Sequence, residues 1–256
     1  MNLKYVLSAF ALLLSLNAES KNLGHRLGSD YHKHLPENSL SVLEASIYGI
    51  GGKDAIMGDD RFIYFEFDIQ ETLDNQLVLF HDKDFKRMIP NKGVNKAVYK
   101  QIIQNVFERT GKRYKYKKLR VELVTLKEMQ SLYLNANILY KVPSLEEVLN
   151  FAIVHKVKKP MVLEIKKLHS NTGRDKALNL MQNFKLSYGD NSEISFTRYY
   201  DYPLELTITF LAFPKAVEYS FPNESLKRSY CKRIQEMGFG GIYRARKHKF
   251  DFCSLY

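Results

Sequence analysis

Runs of consecutive apolar residues alternate along this chain with stretches in which apolar residues recur every three or four positions. Arg61 to Gln70 (RFIYFEFDIQ) is rich in β-branched and aromatic residues. Gln76 to Asp82 (QLVLFHD) follows it across a Leu-Asp-Asn turn, and both read as strands. Pro160 to Lys166 (PMVLEIK) reads as another buried strand. Glu193 to Phe196, Leu206 to Phe213 and Gly240 to Tyr243 are later candidates, and Lys21 to His25 is a short early one. Between them lie helix patterns. A Pro-Glu-Asn-Ser start leads into Leu40, Leu43 and Ile47 on one face, with Gly49 as a stop. Thr125-x-x-Glu128 and Ser144-x-x-Glu147 have the spacing of capping boxes. Apolar runs alternating with amphipathic helices favour an α/β fold with a parallel sheet. A single domain closed as a TIM-type (β/α)8 barrel fits the length best. An open doubly wound sheet is the alternative, but no Gly-rich phosphate loop follows the first strand.

The first twenty residues stand apart. Met1 to Lys4 is a short positive start, Tyr5 to Leu16 is apolar, and Asn17-Ala18 leads into polar residues. This is the layout of a signal peptide, or of an N-terminal anchor if it is not cut, and leaves residues 21–256 as the barrel. An exported protein, periplasmic or secreted, is expected. Only Cys231 and Cys253 occur, both near the end; in an oxidising compartment they can pair, and two separate buried thiols are the other reading.

Composition narrows the partners. At 45% hydrophobic, the 256 residues can bury a sizeable core, which excludes wholesale disorder. The net charge of +11 attracts anions and suits a phosphate-bearing small molecule, nucleic acid or an anionic membrane. The basic residues concentrate in Arg109 to Arg120, which reads as a solvated loop. No nucleic-acid-binding motif accompanies it, so a nucleic-acid partner is not expected, while association with a membrane surface stays open.

Polar residues inside the apolar strands carry the chemistry. Glu66 and Asp68 are two apart in a strand, so both carboxylates share one face. Burying both is costly unless a cation neutralises them, and oxygen ligands select a hard divalent ion, Mg²⁺ or Ca²⁺. The competing reading turns one acid to solvent or to an arginine. Glu164 sits late in its strand with Lys166 on the same face, which reads as an ion pair or, beside Glu66 and Asp68, as a third metal oxygen. His81 and His25 end strand candidates, where barrel enzymes place catalytic groups; a hydrogen-bonded structural histidine is the alternative for each. Arg26 is a natural bidentate phosphate donor.

The ordered set GHR…PENS, EFDIQ, LVLFHD, VPSLEEVL and LEIK resembles the glycerophosphodiester phosphodiesterases. The resemblance runs from about residue 23 to about residue 170. It implies a TIM-type barrel that cleaves glycerophosphodiesters to an alcohol and glycerol 3-phosphate. It implies that His25 and His81 are the acid–base pair and that Glu66, Asp68 and Glu164 hold the divalent ion. Arg26 would bind phosphate, and Glu37 and Lys166 would line the substrate pocket. Two departures stand out. Leu27 occupies the place where the family usually has glycine, with Gly28 one step late. The stretch from Arg26 to Pro36 is longer than usual and contains His32 and His34 as loop residues. Competing readings are a barrel phospholipase acting on intact lipid and a non-catalytic basic binding module.

Overall fold

A computed structural model describes residues 22–59, 61–157, 159–188, 208–239, 241–244 and 252–254. The leader-like segment and the strand expected at Glu193 to Phe196 lie outside the described residues. Among the described residues, five strands form one sheet in the order β2-β1-β3-β4-β5: β1 (Phe65–Glu71), β2 (Leu77–Leu79), β3 (Met161–Lys167), β4 (Ile208–Ala212) and β5 (Ile242–Arg244). Strands β1, β3, β4 and β5 run parallel. The chain is therefore α/β with a largely parallel sheet, and closure into an eight-stranded barrel is not among the described residues.

Strand β2 departs from the parallel pattern and pairs antiparallel with β1. The reason is the connection. Thr72 and Gln76 close a tight turn through Thr72 N–H to Gln76 O at 2.8 Å, with Asn75 at φ 58. A hairpin that short can only return antiparallel, whereas parallel neighbours need a long crossover.

The helices obey their start and stop signals. Helix α1 (Leu40–Tyr48) is capped by Ser39, whose side chain accepts from Val42 N–H, and ends at Gly49. Helix α2 spans Asn95–Thr110. Both expected capping boxes form, at Thr125 for α3 (Leu126–Gln130) and at Ser144 for α4 (Leu145–Val154). Helices α5 (Asn171–Tyr188), α6 (Pro214–Ser220) and α7 (Glu224–Glu236) complete the set among the described residues.

Of the strand expected from Lys21 to His25, the described residues 22–25 form none. Leu23 N–H bonds Arg61 O, ahead of β1, and Gly24 O accepts from Glu66 N–H, so the segment touches β1 itself at one point. It then coils into a 3₁₀ turn, His25–Gly28, through left-handed Arg26 (φ 50) and Leu27 (φ 63). Gly24 is required at the approach, since a Cβ there would lie 1.9 Å from Tyr64 O.

Two cores divide the apolar side chains. One joins Phe65, Phe67 and Ile69 of β1 and Leu163 and Ile165 of β3 to the inner faces of α1, α4, α5 and α7. The other lies under residues 78–142, where Tyr99 and Val106 of α2 meet Phe85, Val121 and Met129. The basic stretch Arg109 to Arg120 crosses the second core's edge; it is mostly exposed, but Leu119 is buried and Tyr116 packs on Tyr99. Cys231 of α7 and Cys253 form a disulfide with Cα atoms 5.1 Å apart.

That cross-link closes a 22-residue loop, and its removal should cost about 3 kcal/mol. Urea denaturation in oxidising and reducing buffer should show that loss for the wild-type chain. A Cys231→Ser/Cys253→Ser variant should start low and ignore the reductant.

Candidate active site

Side chains alternate across β1, so the same strand that sends Phe65, Phe67 and Ile69 into the first core turns Glu66, Asp68 and Gln70 to its other face. That face is buried too: Glu66 is 6% exposed and Asp68 1%. Parallel pairing places Glu164 of β3 directly beside Asp68. The result is three carboxylates whose oxygens lie within 4.8 Å of one another.

Protein groups answer part of this charge. Lys166 lies opposite the register shift between β1 and β3; its Nζ is 3.0 Å from Asp68 Oδ1 and also bonds Glu164. Asn38 holds Asp68 from both ends: its Nδ2 donates to Oδ2 at 2.8 Å, and its Oδ1 accepts from the Asp68 N–H. The backbone N–H of Arg26 donates to Glu66 Oε2 at 3.0 Å, a contact made available by the left-handed turn.

The remainder shows in the proton affinities. Burial, then the like charges of Asp68 and Glu164, push the Glu66 carboxyl well above its ordinary 4.5. Burial raises Glu164 as well, against the pull of Lys166. Lys166 loses stabilisation by burial, yet the carboxylates outweigh this and hold it above its usual value, so it stays charged. One acceptor is left over: Glu66 Oε1 is buried and has no hydrogen-bond partner. An all-oxygen donor set with one orphaned, sterically gathered acceptor fits a hard divalent cation.

The histidines flank this set. His25 Nε2 is 3.8 Å from Glu66 Oε2, while its Nδ1 faces Asp30 Oδ2 at 3.1 Å. Burial, working against Asp30, lowers the His25 imidazole below its ordinary 6.5. His81 follows β2, and the hairpin carries it back beside the middle of β1, where Phe80 N–H bonds Asp68 O. Its placement thus comes from an antiparallel return and not from the end of a parallel barrel strand. Gln70 Nε2 fixes this backbone by donating to Phe80 O and Asp82 O at 2.7 and 2.8 Å. His81 Nδ1 bonds Asp82 Oδ1 at 2.8 Å, and the ring is near enough for its charge to bear on Glu164.

Arg26 bonds Glu37 Oε2 through Nη1 at 2.8 Å; its Nε is buried without a hydrogen-bond acceptor. Glu37 also receives Arg87, and despite burial these two guanidiniums hold its carboxyl below the usual range. Glu37, His81 and Asp82 make a second group with metal-ligand spacing, but Arg87 already spans its two carboxylates. All eight side chains expected from the sequence therefore gather in one connected region. His32 and His34 do not join it: His32 is buried edge-on to Tyr31 and His34 is exposed. Four neighbours escaped the sequence reading as site residues. Asn38 and Asp82 sat inside PENS and LVLFHD and could have been found there; Asp30 and Arg87 carry no local signal.

The model of the glycerophosphoryl diester phosphodiesterase family matches residues 59–238. This range includes Glu66, Asp68, His81, Glu164 and Lys166 and begins after His25, Arg26 and Glu37. No curated protein matches the chain. Among solved structures, it is similar to a glycerophosphodiester phosphodiesterase from Agrobacterium tumefaciens at 14% identity and a TM-score of 0.47, covering 86% of this chain and 74% of that one. It is similar to an Oleispira antarctica phosphodiesterase in complex with the product sn-glycerol-3-phosphate at 15% identity and a TM-score of 0.42, covering 86% and 73%. A glycerophosphodiester phosphodiesterase from Thermotoga maritima matches at 16% and 0.41, covering 86% and 71%.

The raised Glu66 carboxyl has a sign that melting curves can read. From the ordinary value of 4.5 upward, the unfolded chain gives up a proton that the fold retains, so stability falls as pH rises. In cation-free buffer the wild-type midpoint should drop between pH 4.5 and neutrality, and Glu66→Gln should drop less. Added Mg²⁺ or Ca²⁺ should restore the wild type at neutral pH and do little for the variant; a wild type indifferent to both ions contradicts the cation site.

Proposed function

Because the chain belongs to the glycerophosphoryl diester phosphodiesterase family, its reaction is hydrolysis of a glycerophosphodiester, and we propose that it proceeds by acid–base catalysis between His25 and His81. The products are an alcohol and glycerol 3-phosphate. Glu66, Asp68 and Glu164 hold one divalent cation, Mg²⁺ or Ca²⁺. When bound, that ion supplies a Lewis acid for a phosphodiester oxygen and neutralises charge that grows during displacement.

The observation that carries this reading is a pair of buried orphans of opposite sign. Glu66 Oε1 lacks a donor, and Arg26 Nε lacks a hydrogen-bond acceptor, standing 3.7 Å from Asp68 Oδ2, while the Arg26 backbone N–H bonds the Glu66 carboxylate. A cation satisfies the first and a phosphate oxygen the second. Arg26 binds and orients the phosphate through its planar fork, with Glu37 restraining its Nη1. One imidazole takes the proton of the attacking water or neighbouring hydroxyl. The other returns a proton to the leaving alkoxide. The carboxylates at Nδ1, Asp30 for His25 and Asp82 for His81, leave each Nε2 as the nitrogen available for transfer. Lys166 keeps Asp68 and Glu164 in place by charge.

The five-stranded sheet is read here as part of a TIM-type barrel, which the family implies. Export is supported by the leader-like pattern of residues 1–20 and by the Cys231–Cys253 disulfide, a bond that persists in oxidising compartments.

Purified protein should release glycerol 3-phosphate from glycerophosphocholine, lose this activity to EDTA and regain it with Mg²⁺ or Ca²⁺. His25→Ala and His81→Ala should each lower kcat about 10²–10⁴-fold. Wild-type turnover in both variants defeats the assignment. A preference for intact phospholipid over the deacylated diester would shift the reading to a barrel phospholipase.

A further inference from the structure

Arg87 takes no part in the chemistry above, yet it uses four of the five N–H donors of its guanidinium in the site's immediate surroundings. It stands in the loop after β2, about half exposed. On one side Nη1 and Nη2 grip both oxygens of Glu37 at 2.8 and 2.6 Å. On the other, Nε and Nη2 grip both oxygens of Asp82 at 2.7 and 2.7 Å. Each carboxylate has a second client. Glu37 Oε2 also receives Arg26 Nη1 at 2.8 Å, and Asp82 Oδ1 also faces His81 Nδ1 at 2.8 Å.

We propose that Arg87 is a positioning residue that straps the loop of His81 to the loop of Arg26, fixing the proton-transfer imidazole relative to the phosphate-binding guanidinium. The inference rests on the roles given to His81 and Arg26 above. Glu37 and Arg87 are 50 residues apart, and Glu37 belongs to the stretch before α1 while Asp82 follows the hairpin. Without a fork between them, two carboxylates meet and repel. With it, Asp82 is held where it accepts a hydrogen bond from His81 Nδ1–H and so favours that tautomer. Lysine keeps the charge but cannot grip two carboxylates at two points each. A bidentate network of this kind can also contribute to stability, so melting temperature is measured beside turnover.

The test uses the full chain with Arg87→Met, Arg87→Lys and Arg87→Ala, assayed on glycerophosphocholine. Removing a partner that orients a metal-ligating side chain costs about 10–100-fold in activity, and a loss of the same order is expected for a partner that orients His81. The expected result is a fall of that size in kcat/KM for all three variants, with kcat reduced through His81 and KM raised through Arg26. Millimolar guanidinium should partly rescue Arg87→Ala and leave Arg87→Lys unchanged. Independently of substrate, ¹⁵N spectra of the His81 ring should show one Nδ1–H tautomer in the wild type and a mixture in Arg87→Met. Kinetic constants within twofold of wild type, or a lower melting temperature with no guanidinium rescue and no tautomer change, overturn the proposal. Should the wild type itself hydrolyse no glycerophosphodiester, the functional reading falls, and the ring spectra still decide whether Arg87 sets the tautomer.

Discussion

Three carboxylates share one buried face of two adjacent parallel strands, and most of the surrounding structure exists to make that tolerable. Glu66 and Asp68 are forced together by the two-residue period of β1, and Glu164 is added by the pairing of Asp68 with Glu164 across the sheet. Ionised groups so close and so dry repel strongly. Lys166, the Asn38 amide and the Arg26 N–H each offset part of this charge, and each comes from a different piece of chain.

The turn at Arg26 and Leu27 shows the cost of this arrangement. Both residues take left-handed backbone angles, which cost an L-residue about 1–2 kcal/mol each. The strain is what aims the Arg26 N–H at Glu66 while its guanidinium reaches Glu37. Leu27 stands at a position where glycine would adopt the same angles freely. Its side chain is fully buried in the main core, and its carbonyl accepts from Ser46 at 2.8 Å, so packing offsets the backbone penalty. The next residue has no such latitude: at Gly28 (φ 99) a Cβ would lie 2.0 Å from Ser46 Oγ. An apolar anchor thus occupies a left-handed position at a site where backbone strain serves the chemistry.

Around this centre the charges form layers. Carboxylates lie innermost; Lys166 and Arg26 come next; Glu37, Asp30 and Asp82 hold the outer side of Arg26, His25 and His81. Alternation of sign lets each charged group be restrained by the next one outward. It also explains why the group Glu37, His81 and Asp82, which has metal-ligand spacing, is answered by Arg87.

Local physics made much of this legible. Apolar runs rich in β-branched and aromatic residues marked β1 and β3, the two-residue strand period placed Glu66 and Asp68 on one face, and the Ser39 cap and both capping boxes marked helix starts to the residue. These features depend on neighbours within four positions, which is the range a linear pattern can express. The coil before Arg26 and the roles of Asn38 and Arg87 depend on contacts 30 to 50 residues apart, whereas the antiparallel return of β2 follows from a turn of a few residues whose consequence for His81 shows only when the hairpin is laid beside Asp68. Sequence alone determined which side chains could do chemistry, because residue type and strand period are local. Only the tertiary structure decided which of them meet and that Glu66 Oε1 and Arg26 Nε stay without a hydrogen-bond partner, because burial and pairing are properties of the packed chain.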